Sequence, residues 1–161
     1  MKKLFLTLFA AFAIAFSANA QFYGSGSLGL MIGGQSKTFS VACHIDPGFG
    51  YQFNSHSSLG MYLSIGGGAG VFSWSVNPYY RYTFASVNNF HFFGEAQASV
   101  GQTAAVFNWG IGLVPGVSYS LSSRVDLVTR VGYLGVVGVK NNAAFQFSLV
   151  DGTSFGVQFK F

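Results

Sequence analysis

Phe39-Ser40-Val41-Ala42-Cys43-His44-Ile45-Asp46-Pro47-Gly48-Phe49-Gly50-Tyr51-Gln52-Phe53-Asn54 is the stretch that decides the fold of this chain. Its odd positions are large and apolar, apart from Cys43 and Pro47, whereas its even positions are polar or tiny. A period of two belongs to a β-strand with two unlike faces. Here the apolar face carries the bulk and the polar face is slender, which suits a strand with lipid on one side and a narrow polar lumen on the other.

The segment recurs. Pro47 is followed by Tyr51 and Phe53, Pro78 by Tyr82 and Phe84, and Pro115 by Tyr119 and Leu121. A fourth copy lacks the proline but keeps Phe155, Phe159 and Phe161. Polar turns follow the first three copies, over residues 54–57, 85–89 and 122–124. The anchors at 51, 82, 119 and 159 are spaced so that each interval holds one ascending and one descending strand. The expected fold is therefore all-β: a closed antiparallel transmembrane β-barrel of about eight strands. Ascending strands are expected near Tyr23–Ile32, Ser58–Gly67, Phe90–Val100 and Val125–Gly135. All three prolines fall on the outward set, so bulges or widened pairs are expected beside them.

Composition agrees with this reading. Of 161 residues, 50% are hydrophobic and only 7% charged, against about 25% charged in soluble domains. No run of about 20 apolar residues supplies a spanning helix, and a closed barrel is the other structure that satisfies every backbone group in lipid. A barrel requires charges at membrane depth to face inward. Asp46, Arg81, Glu95, Asp126, Arg130 and Lys160 fall on the inward set, while Lys37, Arg124 and Lys140 fall in connections. Asp151 has outward parity, which places Asp151-Gly152 above the membrane and starts the last spanning strand at Thr153. Tyr51, Phe53, Tyr82, Phe84, Phe90, Phe92, Tyr119, Phe159 and Phe161 form one expected aromatic girdle. Phe39, Trp74, Phe107, Trp109 and Tyr133 form the other.

The N-terminus reads as an export address. Lys2 and Lys3 precede an apolar run from Leu4 to Phe16, and Ala18-Asn19-Ala20 supplies small residues for cleavage. Residues 1–20 are expected to be a signal peptide, with residues 21–161 forming the barrel. Its loss takes the net charge from +4 to +2, so the basic composition does not point to nucleic acid. Cys43 is the single cysteine, which excludes an internal disulfide and a zinc cluster of cysteines. No cofactor or metal site is expected.

Gly156, Phe159 and Phe161 sit in the terminal segment Ser154–Phe161, which reads polar, any, Gly, two of any kind, hydrophobic, any, aromatic. This resembles the signal with which outer-membrane barrels end. The whole of residues 21–161 resembles the small eight-stranded family typified by OmpX and the OmpA barrel domain. The resemblance implies integral insertion in the outer membrane of a Gram-negative bacterium. It implies outer-membrane lipid and lipopolysaccharide as surroundings, and the barrel-assembly machinery and periplasmic chaperones as partners in biogenesis. No domain is expected after Phe161, so peptidoglycan anchoring is not implied.

Within the lumen, Arg81 is expected opposite Glu95 if residues 87–89 make a three-residue turn. Asp46 and Arg130 extend this into a polar plug filled out by His44, Gln52, Tyr62, His91 and Gln97. The expected function is thus a non-enzymatic envelope or surface-interaction protein with a packed lumen. A narrow channel for small solutes is the alternative. A lipid A-modifying enzyme is a further one, because His56-Ser57-Ser58 superficially resembles the His-x-Ser of such a deacylase. That triplet falls in an expected periplasmic turn with no acidic neighbour in sequence. Gly66-Gly67-Gly68-Ala69-Gly70 is expected to be a surface connection rather than a phosphate loop, lacking the Lys-Ser/Thr of such loops. The outer loops are expected at Gly33–Thr38, Gly68–Ser73, Gly101–Val106 and, longest, Val136–Gly152, whose alternating Phe145, Phe147 and Leu149 could protrude and pair with a partner strand. A soluble lipocalin-like barrel is the fold alternative.

Overall fold

Alternation is carried out strand by strand in the computed structural model. It describes residues 21–35, 38–68, 70–140, 142–149 and 153–161, without the side chains of residues 30–35 and 38–42. Residues 1–20, expected to be a signal peptide and including Ala18 and Ala20, lie outside the described residues, as do Lys37 and Asp151 and the side chain of Phe39.

Among the described residues ten strands follow in order: β1 (Gln21–Gln35), β2 (Thr38–Gln52), β3 (Ser57–Gly68), β4 (Val71–Val87), β5 (Phe90–Thr103), β6 (Val106–Ser120), β7 (Val125–Arg130), β8 (Tyr133–Val139), β9 (Asn142–Ser148) and β10 (Ser154–Lys160). All described pairings are antiparallel. Strand β6 pairs with β7 at its lower half and with β8 at its upper half. Strand β8 pairs with β9, and β10 bridges β7 and β1. β7 with β8, and β9 with β10, are therefore two interrupted barrel strands. The barrel has eight strands and closes through β1–β10 and β5–β6. Its lower end carries Gln21, Phe161 and the connections 53–56, 88–89 and 121–124.

The prolines sit where ladders break. Pairing between β2 and β3 skips Asp46 and Pro47, and pairing between β4 and β5 skips Asn77 and Pro78, both without loss of register. Beside Pro115 the register changes, since Val114 and Pro115 face Val131, Gly132 and Tyr133. This bulge uses Gly132 at φ +73°, a conformation that costs glycine little. The inserted residue also reverses the parity of β8. Tyr133, expected in the outer girdle, consequently turns inward against Gly110 and Gly112.

Three sequence expectations need correction. The β4–β5 connection is a two-residue turn at Asn88-Asn89, with Val87 opposite Phe90. A bulge between Thr83 and Ala85 absorbs the difference, so Arg81 still faces Glu95. Gly66–Gly68 belong to β3 rather than to a connection, and a Cβ on Gly66 would lie 2.3 Å from the Cys43 carbonyl oxygen. Finally, Val136–Gly152 is no long loop: it contains the β8–β9 hairpin, and Lys140 occupies its turn at φ +53°. Two-residue connections also join β3 to β4 and β5 to β6, so the strands extend through the expected loops. The last strand begins at Ser154.

The exterior is apolar. Phe22, Leu28, Phe49, Phe84, Ile111 and Phe155 are each 63–66% exposed, and the outward positions between them are also mostly apolar. A contiguous apolar surface of this extent excludes a water-facing exterior. It rules out the lipocalin alternative, whose apolar face would point inward. The barrel is a membrane-spanning one.

Candidate functional site: the barrel lumen

Inward parity sends the polar set of each strand into the lumen, where Asp46, Arg81, Glu95, Asp126 and Arg130 are all buried. They are organised in layers. At mid-barrel, Arg81 donates from Nε at 2.8 Å and from a terminal nitrogen at 2.6 Å to the same Glu95 oxygen. It also donates to Gln158 at 3.0 Å and to the Tyr62 hydroxyl at 3.0 Å, and Tyr62 in turn donates to Glu95 at 3.1 Å. The guanidinium lies 4.2 Å over the Phe93 ring. Tyr62 stacks on Tyr79 with centroids 4.3 Å apart, and the Tyr79 hydroxyl meets that of Tyr23 at 2.7 Å. Tyr62, Tyr79, Phe93 and Glu95 are each no more than 1% exposed. This layer crosses the lumen.

Asp46 and Arg130 border the layer from above. Ser27 joins them, accepting from Arg130 and donating to Asp46 at 3.1 Å. Arg130 lies 4.0 Å over the Tyr62 ring, and His44 Nε2 stands 3.3 Å from Asp46. Above this the lumen opens into a cavity of about 470 Å³ bordered by His44, Asp46, Asn77, Gln97, Arg130 and Ser154, among others. Below the layer is a hollow of about 80 Å³. Lys160 pairs with Asp126 at 2.7 Å there, and His91 sits between Ser86 and Ser120.

The rings are accommodated by glycines directly across the ladder. Tyr23 faces Gly50, Tyr62 faces Gly48, Tyr79 faces Gly60 and Phe93 faces Gly116. At each of these glycines an added Cβ would come within 2.3–2.5 Å of the opposing side chain. Core packing tolerates no such overlap, so each ring lies flat over the residue that leaves it room.

The structure brings Arg81 and Glu95 into direct contact, places Asp46 and Arg130 one serine apart, and keeps the two pairs in separate tiers. Gln52, His91 and Gln158 serve the lower tier and Gln97 the upper. Tyr23, Tyr79, Phe93 and Gln158 were missed in the sequence reading, although parity with Arg81 and Glu95 marks Tyr79 and Phe93 as inward. Asp126 and Lys160 were expected only to face inward; the β7–β10 register, in which Gln158 faces Asp126, brings them together. His56 lies in the turn before β3, bonded through Nδ1 to the Ser55 hydroxyl at 2.8 Å. Among the described residues, no three His, Cys, Asp or Glu side chains are grouped to hold a metal.

Among solved structures, the chain is similar to neisserial surface protein A, with a TM-score of 0.68 at 18% identity, covering 89% of this chain and 100% of that one. The fold is that of a small outer-membrane β-barrel. The outer membrane protein OprG from Pseudomonas aeruginosa matches with a TM-score of 0.47 at 12% identity, over 89% of this chain and 96% of that one. The KdgM porin, solved with disordered oligogalacturonate, matches with a TM-score of 0.36 at 11% identity, over 89% and 99%. At that distance the last two carry no argument about this barrel. No protein-family model matches the chain, and no curated protein matches its sequence.

Proposed function

We propose that this barrel is a non-conducting integral protein of a Gram-negative outer membrane, serving envelope structure or contact at the cell surface. Its lower end, with Gln21 and Phe161, faces the periplasm, and the end carrying the 470 Å³ cavity faces outward. Gly156, Phe159 and Phe161 serve as its assembly signal, read by the barrel-assembly machinery, and Ala18 and Ala20 mark the cleavage site of its export signal. Lipopolysaccharide and membrane lipid are its surroundings.

The observation that carries this reading is the mid-barrel layer of Arg81, Glu95, Tyr62, Tyr79 and Phe93, each at most 7% exposed. Buried charges are held there by one another and by hydroxyls, so opening a path separates a desolvated pair. Recording in planar lipid bilayers tests it: the baseline is expected to stay flat, and discrete, reproducible openings would overturn it. A small-solute channel is the second reading. It is favoured by the two hollows, one above and one below this single layer.

A further inference from the structure

Closure of the barrel stops part-way up. Strand β10 meets β1 from the lower end as far as the Gly29–Ser154 pair. Above that pair, among the described residues, β1 is paired with β2 alone over Leu30–Gln35, and β9 is paired with β8 alone. No described Cα of β9 comes within 8 Å of β1, whereas opposed residues of antiparallel strands stand about 4.5–5.5 Å apart. The upper wall therefore has a seam with two open banks. The phase of the ladders tells which groups line it. Phe161 N–H donates to the Phe22 carbonyl at 2.9 Å, so even residues of β1 bond on the β10 side, and Leu30, Ile32 and Gly34 carry that edge upward. Lys140 N–H donates to the Phe107 carbonyl at 3.4 Å, so even residues there bond β6 and odd residues of β8 bond β9. Their β9 partners are even, which leaves the backbone N–H and C=O of Ala143, Phe145 and Phe147 directed to the seam. The seam lies at membrane depth: Ala143 is level with Gly138 and Trp109, and Phe147 with Leu134 and the lipid-facing Leu113. Open sheet edges are not left facing lipid.

We infer that a second copy of the chain fills this seam, β9 of each copy pairing with β1 of the other. Direction decides the occupant. Strand β1 ascends from the lower end and β9 descends from its turn at Lys140. Antiparallel pairing thus asks for an ascending strand beside β9 and a descending one beside β1. A second copy standing the same way up supplies both from its own seam, about a two-fold axis along the membrane normal. Leu30, Ile32 and Gly34 of one copy then face Ala143, Phe145 and Phe147 of the other, edges of equal length. Pairing β9 with β9 is antiparallel only about an axis lying in the membrane plane, which would turn one copy upside down. A single inserted peptide would run antiparallel to one bank and parallel to the other. The ladder uses backbone groups alone, so the side chains of Phe145 and Phe147, 72% and 66% exposed, stay on the lipid side. It also leaves the lower barrel untouched, so it stands or falls apart from the question of conductance.

The test folds the chain from Gln21 into phosphatidylcholine vesicles, with Cys43→Ser and a dye on Ser123→Cys in a lower connection. Energy transfer between donor- and acceptor-labelled copies is followed as the protein is diluted in lipid. Saturable transfer that fits a dimer is expected. Phe145→Pro removes an edge N–H that β8 does not use, and Ile32→Pro does the same on the other bank. Each is expected to raise the dissociation constant of the dimer at least about tenfold. Val100→Ala, on the wall opposite the seam, is expected to leave it unchanged. Heat-modifiable mobility on gels shows whether each variant is folded. A second measurement needs no proline: bismaleimide is expected to join Ile32→Cys copies to Phe145→Cys copies, in the Cys43→Ser background, in preference to either variant alone. Absence of transfer, a dimer indifferent to both prolines, or a cross-link closing within one chain that carries both cysteines overturns the inference.

Discussion

Arg81 makes four hydrogen bonds and one close ring contact from inside a membrane-spanning wall. Its partner Glu95 is wholly buried. Removing one member of such a pair leaves an uncompensated charge, so Glu95→Ala is expected to cost about 3–5 kcal/mol of stability. The double change Arg81→Met with Glu95→Leu is expected to recover most of that loss, because apolar residues of similar volume replace buried pairs at little cost. Reversible urea unfolding followed by tryptophan fluorescence checks both. At this scale the sequence was largely legible: parity alone places Asp46, Arg81, Glu95, Asp126, Arg130 and Lys160 inside. Beyond Arg81 and Glu95 it did not say who touches whom. Arg130 bonds a serine and lies on Tyr62 rather than joining Arg81, because tier along the barrel axis is set by register between distant strands.

At the scale of strands and turns, the register changes are what the sequence concealed. The Val131-Gly132 bulge exchanges the two faces of its strand half-way up, sending Tyr133 inward and Leu134 outward. Period-two reading runs through such a point without noticing it, since nothing in Val131-Gly132-Tyr133 breaks the alternation of sizes. Pro115 was the available clue, as it marks where the opposing ladder is interrupted. Gly132→Val is expected to destabilise the barrel by about 1–3 kcal/mol, because φ is +73° and a Cβ would lie 2.5 Å from the Ser148 carbonyl oxygen. Heat-modifiable mobility on gels reports the loss as a lower temperature of unfolding. The tight β4–β5 turn was misread for a related reason. A shorter turn and a bulge at Phe84 offset one another, so the correct Arg81–Glu95 pairing followed from an incorrect turn.

On the scale of the whole barrel, the outer surface was the most legible property and the lumen the least. Leu113, at the middle of β6 and 54% exposed, belongs to the lipid-facing set. Leu113→Arg is expected to cost about 2–4 kcal/mol in a bilayer, measured by folding into vesicles across a urea series. Arginine at position 124, in a lower connection, carries no such cost. Removing the rings of this layer should be equally visible: Tyr62→Ala with Tyr79→Ala widens the space between the two hollows, and ion conductance above that of the parent is expected in planar bilayers. Alternation told which residues face the lumen, but not that aromatic rings rather than charges fill most of its waist.

The rings laid over glycines bear on how the barrel finds one pairing among several. Slipping a strand by one residue is already forbidden, because it turns the apolar face inward. A slip of two keeps the faces and would otherwise go unpunished. Two steps along β3, however, Tyr79 would meet Tyr62 or Ser58 in place of Gly60, and two steps along β6 Phe93 would meet Val114 or Ser118 in place of Gly116. Tyr79 and Phe93 thus act with their glycines as tooth and notch in the β3–β4 and β5–β6 pairs, where alternation rejects the odd slips and the notch rejects a slip of two; Tyr23 and Tyr62, by contrast, would each find a second glycine, Gly48 or Gly50, after such a slip.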